Sequence, residues 1–179
     1  GIEQIWVGAF YECQNLEYLY LPKSVKYNTQ NEQNMGTSSI SFERCYNLKE
    51  IVVHADSPYF TSLDGNLYSK DMKELIVYAP KREGKSFIVP ASVEKIATYA
   101  FAFAELESVT LPSGLKRLGD FAFEYSKLKS IEIPGSAELG NYCLAYATHL
   151  ERATLGEGIT ATSYGMFTSC QSLIEVVFP

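Results

Sequence analysis

The chain has 179 residues, enough for one compact domain or one elongated array that buries about 70% of its unfolded surface without metals or staples. Apolar residues at 46% and charged residues at 20% exclude wholesale disorder, and 15 Lys and Arg against 21 Asp and Glu leave a net charge of −6 that would repel phosphate backbones, so nucleic acid is not expected as a partner. The longest apolar runs are short pieces such as Leu75 to Ala79, far below the roughly 18 residues that span a bilayer, so no transmembrane segment is expected.

The chain opens at Gly1 without a Met, and any signal peptide or anchor is therefore expected to lie outside this numbering. Ile5-Trp-Val-Gly-Ala-Phe10 sets a first pattern, an aliphatic residue followed by variable positions and a small–aromatic pair. Leu16 to Pro22 sets a second, an LxxLxL-like segment whose last residues alternate in and out, as a strand does, before a Pro that cannot donate to a ladder. The polar, turn-rich stretch near 28–39 predicts a surface loop, and Leu48 to Val53 repeats the strand pattern.

The next 36 residues, Val53 to Val89, exceed one period, and the excess is patterned. An Asp64-Gly65 turn, Asn66-Leu-Tyr-Ser69, a turn at Lys70 to Lys73 and Glu74 to Tyr78 predict a β-hairpin insert near 56–81. Both patterns then recur regularly. Ile96 to Phe101, Leu118 to Phe123 and Leu139 to Leu144 carry the first, and segments led by Leu106, Leu128, Leu150 and Leu173, spaced 22, 22 and 23 residues apart, carry the second. An apolar residue returns three residues after each strand end, as Val25, Val93, Leu115, Ala137 and Ile159.

A coil of about 22 residues cannot offset its own ordering entropy and is stable only when neighbours stack on it. The prediction is a single leucine-rich-repeat solenoid over residues 1–179 with about six repeats, a right-handed β/α superhelix. Its strands form a parallel sheet on the concave face, and its small–aromatic segments form short helical or 3₁₀ pieces on the convex face. Phe10, Phe42, Phe101, Phe123 and Phe167 share one repeat position and are expected to form a buried ladder.

The two signatures, including the Ala-Phe pair, a Cys three residues later and the closing Leu-Pro, resemble the BspA-like leucine-rich repeat family over nearly the whole chain, and Ser57 to Pro80 resembles a hairpin insert common in such proteins. The resemblance implies a secreted or cell-surface protein of a host-associated bacterium, with adhesion as its role and no catalytic residues to carry over. Gly156 departs from the repeat's Pro, and the third and fourth repeats lack the Cys. The resemblance also makes Cys13, Cys45 and Cys170 small buried fillers, and Cys143 stands where an Ala belongs, so packing is favoured over a disulfide or metal site.

His54 and His149 are nearly four repeats apart, which leaves no shared catalytic or metal site. Asp56, Asp64 and Asp71 lack the ligand periodicity of a calcium loop, and Gly114, Gly119 and Gly140 fall in repeat turns rather than in a phosphate cradle. No cofactor is expected.

The residues flanking the middle apolar position of each strand should face solvent on the concave side: Tyr18 and Tyr20, Glu50 and Val52, Ser108 and Thr110, Ser130 and Glu132, Arg152 and Thr154, Glu175 and Val177. This is the candidate binding surface. Tyr11 and Tyr27 could add to an aromatic patch with Tyr18 and Tyr20, and Glu107, Lys129 and Glu151 should form a charge ladder about 4.8 Å per rung. The favoured function is extracellular adhesion to proteins of host or neighbouring cells; the alternatives are glycan binding through the exposed aromatics and, less favoured, an enzyme accessory domain. The last strand, Glu175 to Phe178, has no polar cap after it, so end-to-end self-association or further repeats are expected.

Overall fold

The computed structural model of the chain describes residues 1–6, 8–26, 42 and 44–179; the expected loop at 28–39 and Tyr27 lie outside these. Strands β1 (Tyr18–Leu21) and β2 (Glu50–Val53) pair in parallel, Tyr18 opposite Glu50 and Tyr20 opposite Val52. The insert that follows is a meander of three strands, β3 (Phe60–Leu63), β4 (Asn66–Ser69) and β5 (Glu74–Val77), all paired antiparallel. Asp64 and Gly65, both at positive φ (50° and 77°), make the two-residue β3–β4 turn, the geometry in which an Asp-Gly pair matches strand twist.

Beyond the insert the coils build two sheets with parallel pairing, the coil between Leu155 and Glu175 contributing to the first alone. One holds the rungs β6 (Ser86–Ile88), β8 (Ser108–Thr110), β10 (Ser130–Ile133), β12 (Arg152–Leu155) and β13 (Glu175–Val177). The other joins β5 to the two-residue strands β7 (Lys95–Ile96), β9 (Arg117–Leu118) and β11 (Glu138–Leu139), so the insert's last strand starts a sheet of the solenoid. Leu75, Ile96, Leu118 and Leu139 stand in register along it.

The segments between these sheets are not helical, which corrects the expected β/α superhelix: the described residues contain no helix. The hydrogen bonds give the reason. Ala100, Ala102 and Ala104 donate to carbonyls three residues back, at 3.2, 3.0 and 3.1 Å, while Tyr99, Phe101 and Phe103 donate instead to Asp120, Ala122 and Glu124 of the next coil, at 3.1, 2.7 and 2.8 Å. Every second N–H is thus taken by a neighbouring coil, and a helix would need all of them for itself. The result is a chain of linked turns in which Tyr99, Phe103, Phe121, Tyr125, Tyr142 and Tyr146 all sit at φ between 52° and 60°.

A left-handed conformation costs a residue with a side chain about 1–2 kcal/mol. Stacking offsets it here. Tyr99, Phe121 and Tyr142 form one column with ring centroids 5.1 and 5.0 Å apart, and Phe103, Tyr125 and Tyr146 a second at 5.1 and 4.8 Å. Between the columns the wholly buried Tyr78, Phe101 and Phe123 stack at 5.1 and 4.7 Å, and Leu144 continues that position in the next coil. Gly156 replaces the repeat's Pro because the coils close up there: a Cβ on it would meet Gly135 N at 2.6 Å.

Candidate interaction face

The outward residues of the rungs form rows across the strands. Ser86, Ser108, Ser130, Arg152 and Glu175 are paired in register, as are Ile88 with Thr110, and Glu132 with Thr154 and Val177. Thr154 and Val177 are half-buried and the rest of these are exposed. Ser108, Thr110, Ser130, Glu132, Arg152, Thr154, Glu175 and Val177 therefore share one sheet. Tyr18, Tyr20, Glu50 and Val52 sit on the separate two-stranded sheet.

The two parts differ in chemistry. Tyr18, Tyr20 and Val52 are 63%, 57% and 41% exposed, whereas the larger sheet presents mainly hydroxyls and one cross-rung pair, Arg152 Nε to Glu175 Oε2 at 3.4 Å. Sequence reasoning places a strand end at Val89 but leaves that rung out of the face; β6 brings Ser86 and a 74% exposed Ile88 onto it. It lacks the leading Leu, but the alternation of Phe87 and Val89 before Pro90 was a readable signal. Tyr11 belongs to a turn segment, with the Arg44 guanidinium 5.6 Å from its ring centroid, and not to the rung that carries Tyr18 and Tyr20.

Three charge ladders run along the coils. Glu107 lies between Lys129 (2.6 Å) and Lys85 (4.0 Å), Glu105 between Lys81 and Lys127 (both 3.0 Å), and Glu94 between Lys116 (2.6 Å) and Lys73 (3.1 Å). Hydrogen bonds from Lys129, Lys127 and Lys116 respectively are the largest cause holding these carboxyls below the ordinary carboxylate range. Glu151 acts on Lys129 only through its charge. Exposed pairs of this kind contribute little individually, but they fix which lysine lies above which glutamate as coils stack.

Cys45, Cys143 and Cys170 have no reactive setting. All four cysteines are free, and Cys45 and Cys170 donate to the carbonyls of Phe10 (3.0 Å) and Leu144 (3.2 Å) in the preceding coil. Burial pushes Cys45 up to about 11 and Cys143 up to about 12, and raises Cys170 as well. Cys13 departs from the expected burial and is exposed. His54 Nδ1 accepts from the Asp56 N–H at 3.1 Å, and Asp71 accepts from Ser69 Oγ (2.7 Å) and the Lys73 N–H (3.1 Å), local turn contacts in both cases. Among the described residues no three His, Cys, Asp or Glu side chains are grouped to hold a metal, and no helix is long and apolar enough to cross a membrane.

The repeated rung, linked turns and cross-coil thiol donors are one structural unit, and the sequence matches the model of the BspA type leucine rich repeat region in six copies, over residues 1–70 and 77–179. The chain belongs to the BspA-type leucine-rich-repeat family. Solved structures similar to this chain include a leucine-rich repeat protein from Eubacterium ventriosum, 26% identical with a TM-score of 0.85, for which the alignment covers 98% of this chain and 45% of that one. The pneumococcal vaccine antigen PcpA is 25% identical with a TM-score of 0.72, covering 99% and 48%. A leucine rich cell surface protein from Faecalibacterium prausnitzii is 24% identical with a TM-score of 0.67, covering 99% and 51%, and shows the fold alone. The BspA-type chain thus spans about half the length of these proteins, and no curated protein matches it.

Proposed function

We propose that this BspA-type array is a non-catalytic protein-binding module of a bacterial cell surface, which contacts host or neighbouring-cell proteins through the outward face of its rungs. The observation that carries the reading is the rows of exposed residues held in register over successive strands, from Ser86 to Glu175, with a second exposed group on β1 and β2. A stiff, in-register face is preorganised for a partner and loses little entropy on binding. Support for the location comes from the family.

The test is to probe the chain against immobilised extracellular matrix proteins and, in parallel, a glycan array. The reading expects a protein ligand whose binding is lost in Tyr20→Ser. Exposure of Tyr18 and Tyr20 also suits stacking on sugar rings, and that second reading expects oligosaccharide binding lost in Tyr18→Ala, with no protein ligand.

A further inference from the structure

The rung face is interrupted between β2 and β6, and the interruption is a cleft. Residues Asp64 and Gly65, the tip of the β3–β4 turn, abut β2, with the Ile51 N–H donating to Gly65 O at 2.8 Å, and the chain returns past them at Lys81 to Glu83 before β6 begins. The cleft has a volume of about 480 Å³ and is lined by Tyr18, Lys49, Glu50, Asp64, Arg82 and Glu83 among others. Tyr18 and Glu50 are cross-strand neighbours, and so are Tyr20 and Val52 beside them, so an apolar strip with an aromatic end leads into the cleft.

Its charges are unequally matched. Lys49 pairs with Glu17 at 2.9 Å and Lys81 with Glu105 at 3.0 Å. Arg82 donates from Nε to Asp64 O at 2.8 Å, and its guanidinium lies 5.7 Å from the Phe87 ring centroid. The carboxylates of Glu50, Asp64 and Glu83 have no hydrogen bond or ion pair among the described residues. A second cleft of equal volume, beside Ser69, Asp71, Lys73 and Glu94, differs in that Asp71 is held by Ser69 and Glu94 by Lys73 and Lys116.

Resting on the protein-binding reading above, we propose that the cleft receives an arginine side chain of a partner protein segment, whose neighbouring apolar residue lies on Tyr20 and Val52. The planar guanidinium fork suits this lining because it donates to two carboxylates at once, which an ammonium does less well, and the Tyr18 ring at the cleft already takes a cation, with Lys49 Nζ 5.9 Å from its centroid. The apolar neighbour covers two side chains that otherwise face water.

The experiment selects a phage-displayed library of random peptides on the intact chain and measures the enriched peptides by fluorescence anisotropy. Enriched sequences should carry Arg next to an aromatic or aliphatic residue. Replacing that Arg by Lys, or Glu50→Gln with Glu83→Gln in the protein, should weaken binding about tenfold or more, while Tyr164→Ser, in the turn segments away from the rungs, leaves it within about twofold. Circular dichroism of each variant guards against loss of fold. Enriched peptides without Arg, or ones displaced by Arg152→Ala and indifferent to the Glu50 and Glu83 changes, would overturn the proposal and leave the protein-binding reading standing. Absence of any enriched peptide, with oligosaccharide binding that depends on Tyr18, would overturn both.

Discussion

The ring of Phe101 lies flat against that of Phe123, centroids 4.7 Å apart and planes 7° from parallel, and both are wholly buried between stacked coils. Removing one ring leaves a void that a close-packed stack cannot fill. Phe123→Ala is expected to cost about 3–5 kcal/mol in urea unfolding. A loss below about 1 kcal/mol would place Phe123 outside the core.

Tyr125, at φ 53° and stacked between Phe103 and Tyr146, tests the linked-turn geometry. Both Tyr125→Ala and Tyr125→Gly remove the ring, but only glycine adopts that φ freely. The glycine variant should be the more stable of the two by about 1 kcal/mol. A helix at this segment predicts the opposite order, with glycine worse by about 1 kcal/mol.

The thiols are predicted to hold nothing together. Thermal melts with and without reductant should overlay, and a native-state alkylating agent should modify the exposed Cys13 well before the buried Cys45 and Cys143. A fall of more than a few degrees in Tm on reduction would show a disulfide that the free cysteines exclude.

Acid should weaken the charge ladders. Glu94, Glu105 and Glu107 have carboxyl pKa values below the ordinary 4.5 when folded, so the folded state binds fewer protons there. The sign follows: their contribution is present above about pH 4.5 and is lost as pH falls through the folded values. Urea midpoints measured from pH 6 down to about pH 3 should fall, and the triple variant with Gln at these positions should show a shallower fall. Equal slopes for the two proteins would remove the ladders from the account.

The solenoid was legible because burial on one side imposes a period, and Leu106, Leu128, Leu150 and Leu173 repeat it without noise. The two-residue strands at Lys95–Ile96, Arg117–Leu118 and Glu138–Leu139 were not, since two residues show no alternation. Helical turns were expected from the small–aromatic segments because i→i−3 bonding is local, while the cross-coil bonds from Tyr99, Phe101 and Phe103 depend on a neighbour that local patterns do not contain. The outward rung residues followed from strand alternation. The cleft at Asp64, Arg82 and Glu83 did not, because residues from four separate stretches meet there only once the insert folds against β2.

The most direct measurement compares two faces of the chain against one protein ligand. Tyr20→Ser changes the rung face and Tyr164→Ser a still more exposed tyrosine of the turn segments, 73% accessible against 57%. Calorimetric titration should show affinity reduced about tenfold or more by Tyr20→Ser and unchanged within about twofold by Tyr164→Ser. Loss of binding in Tyr164→Ser with full affinity in Tyr20→Ser would contradict the assignment of the rungs as the binding face.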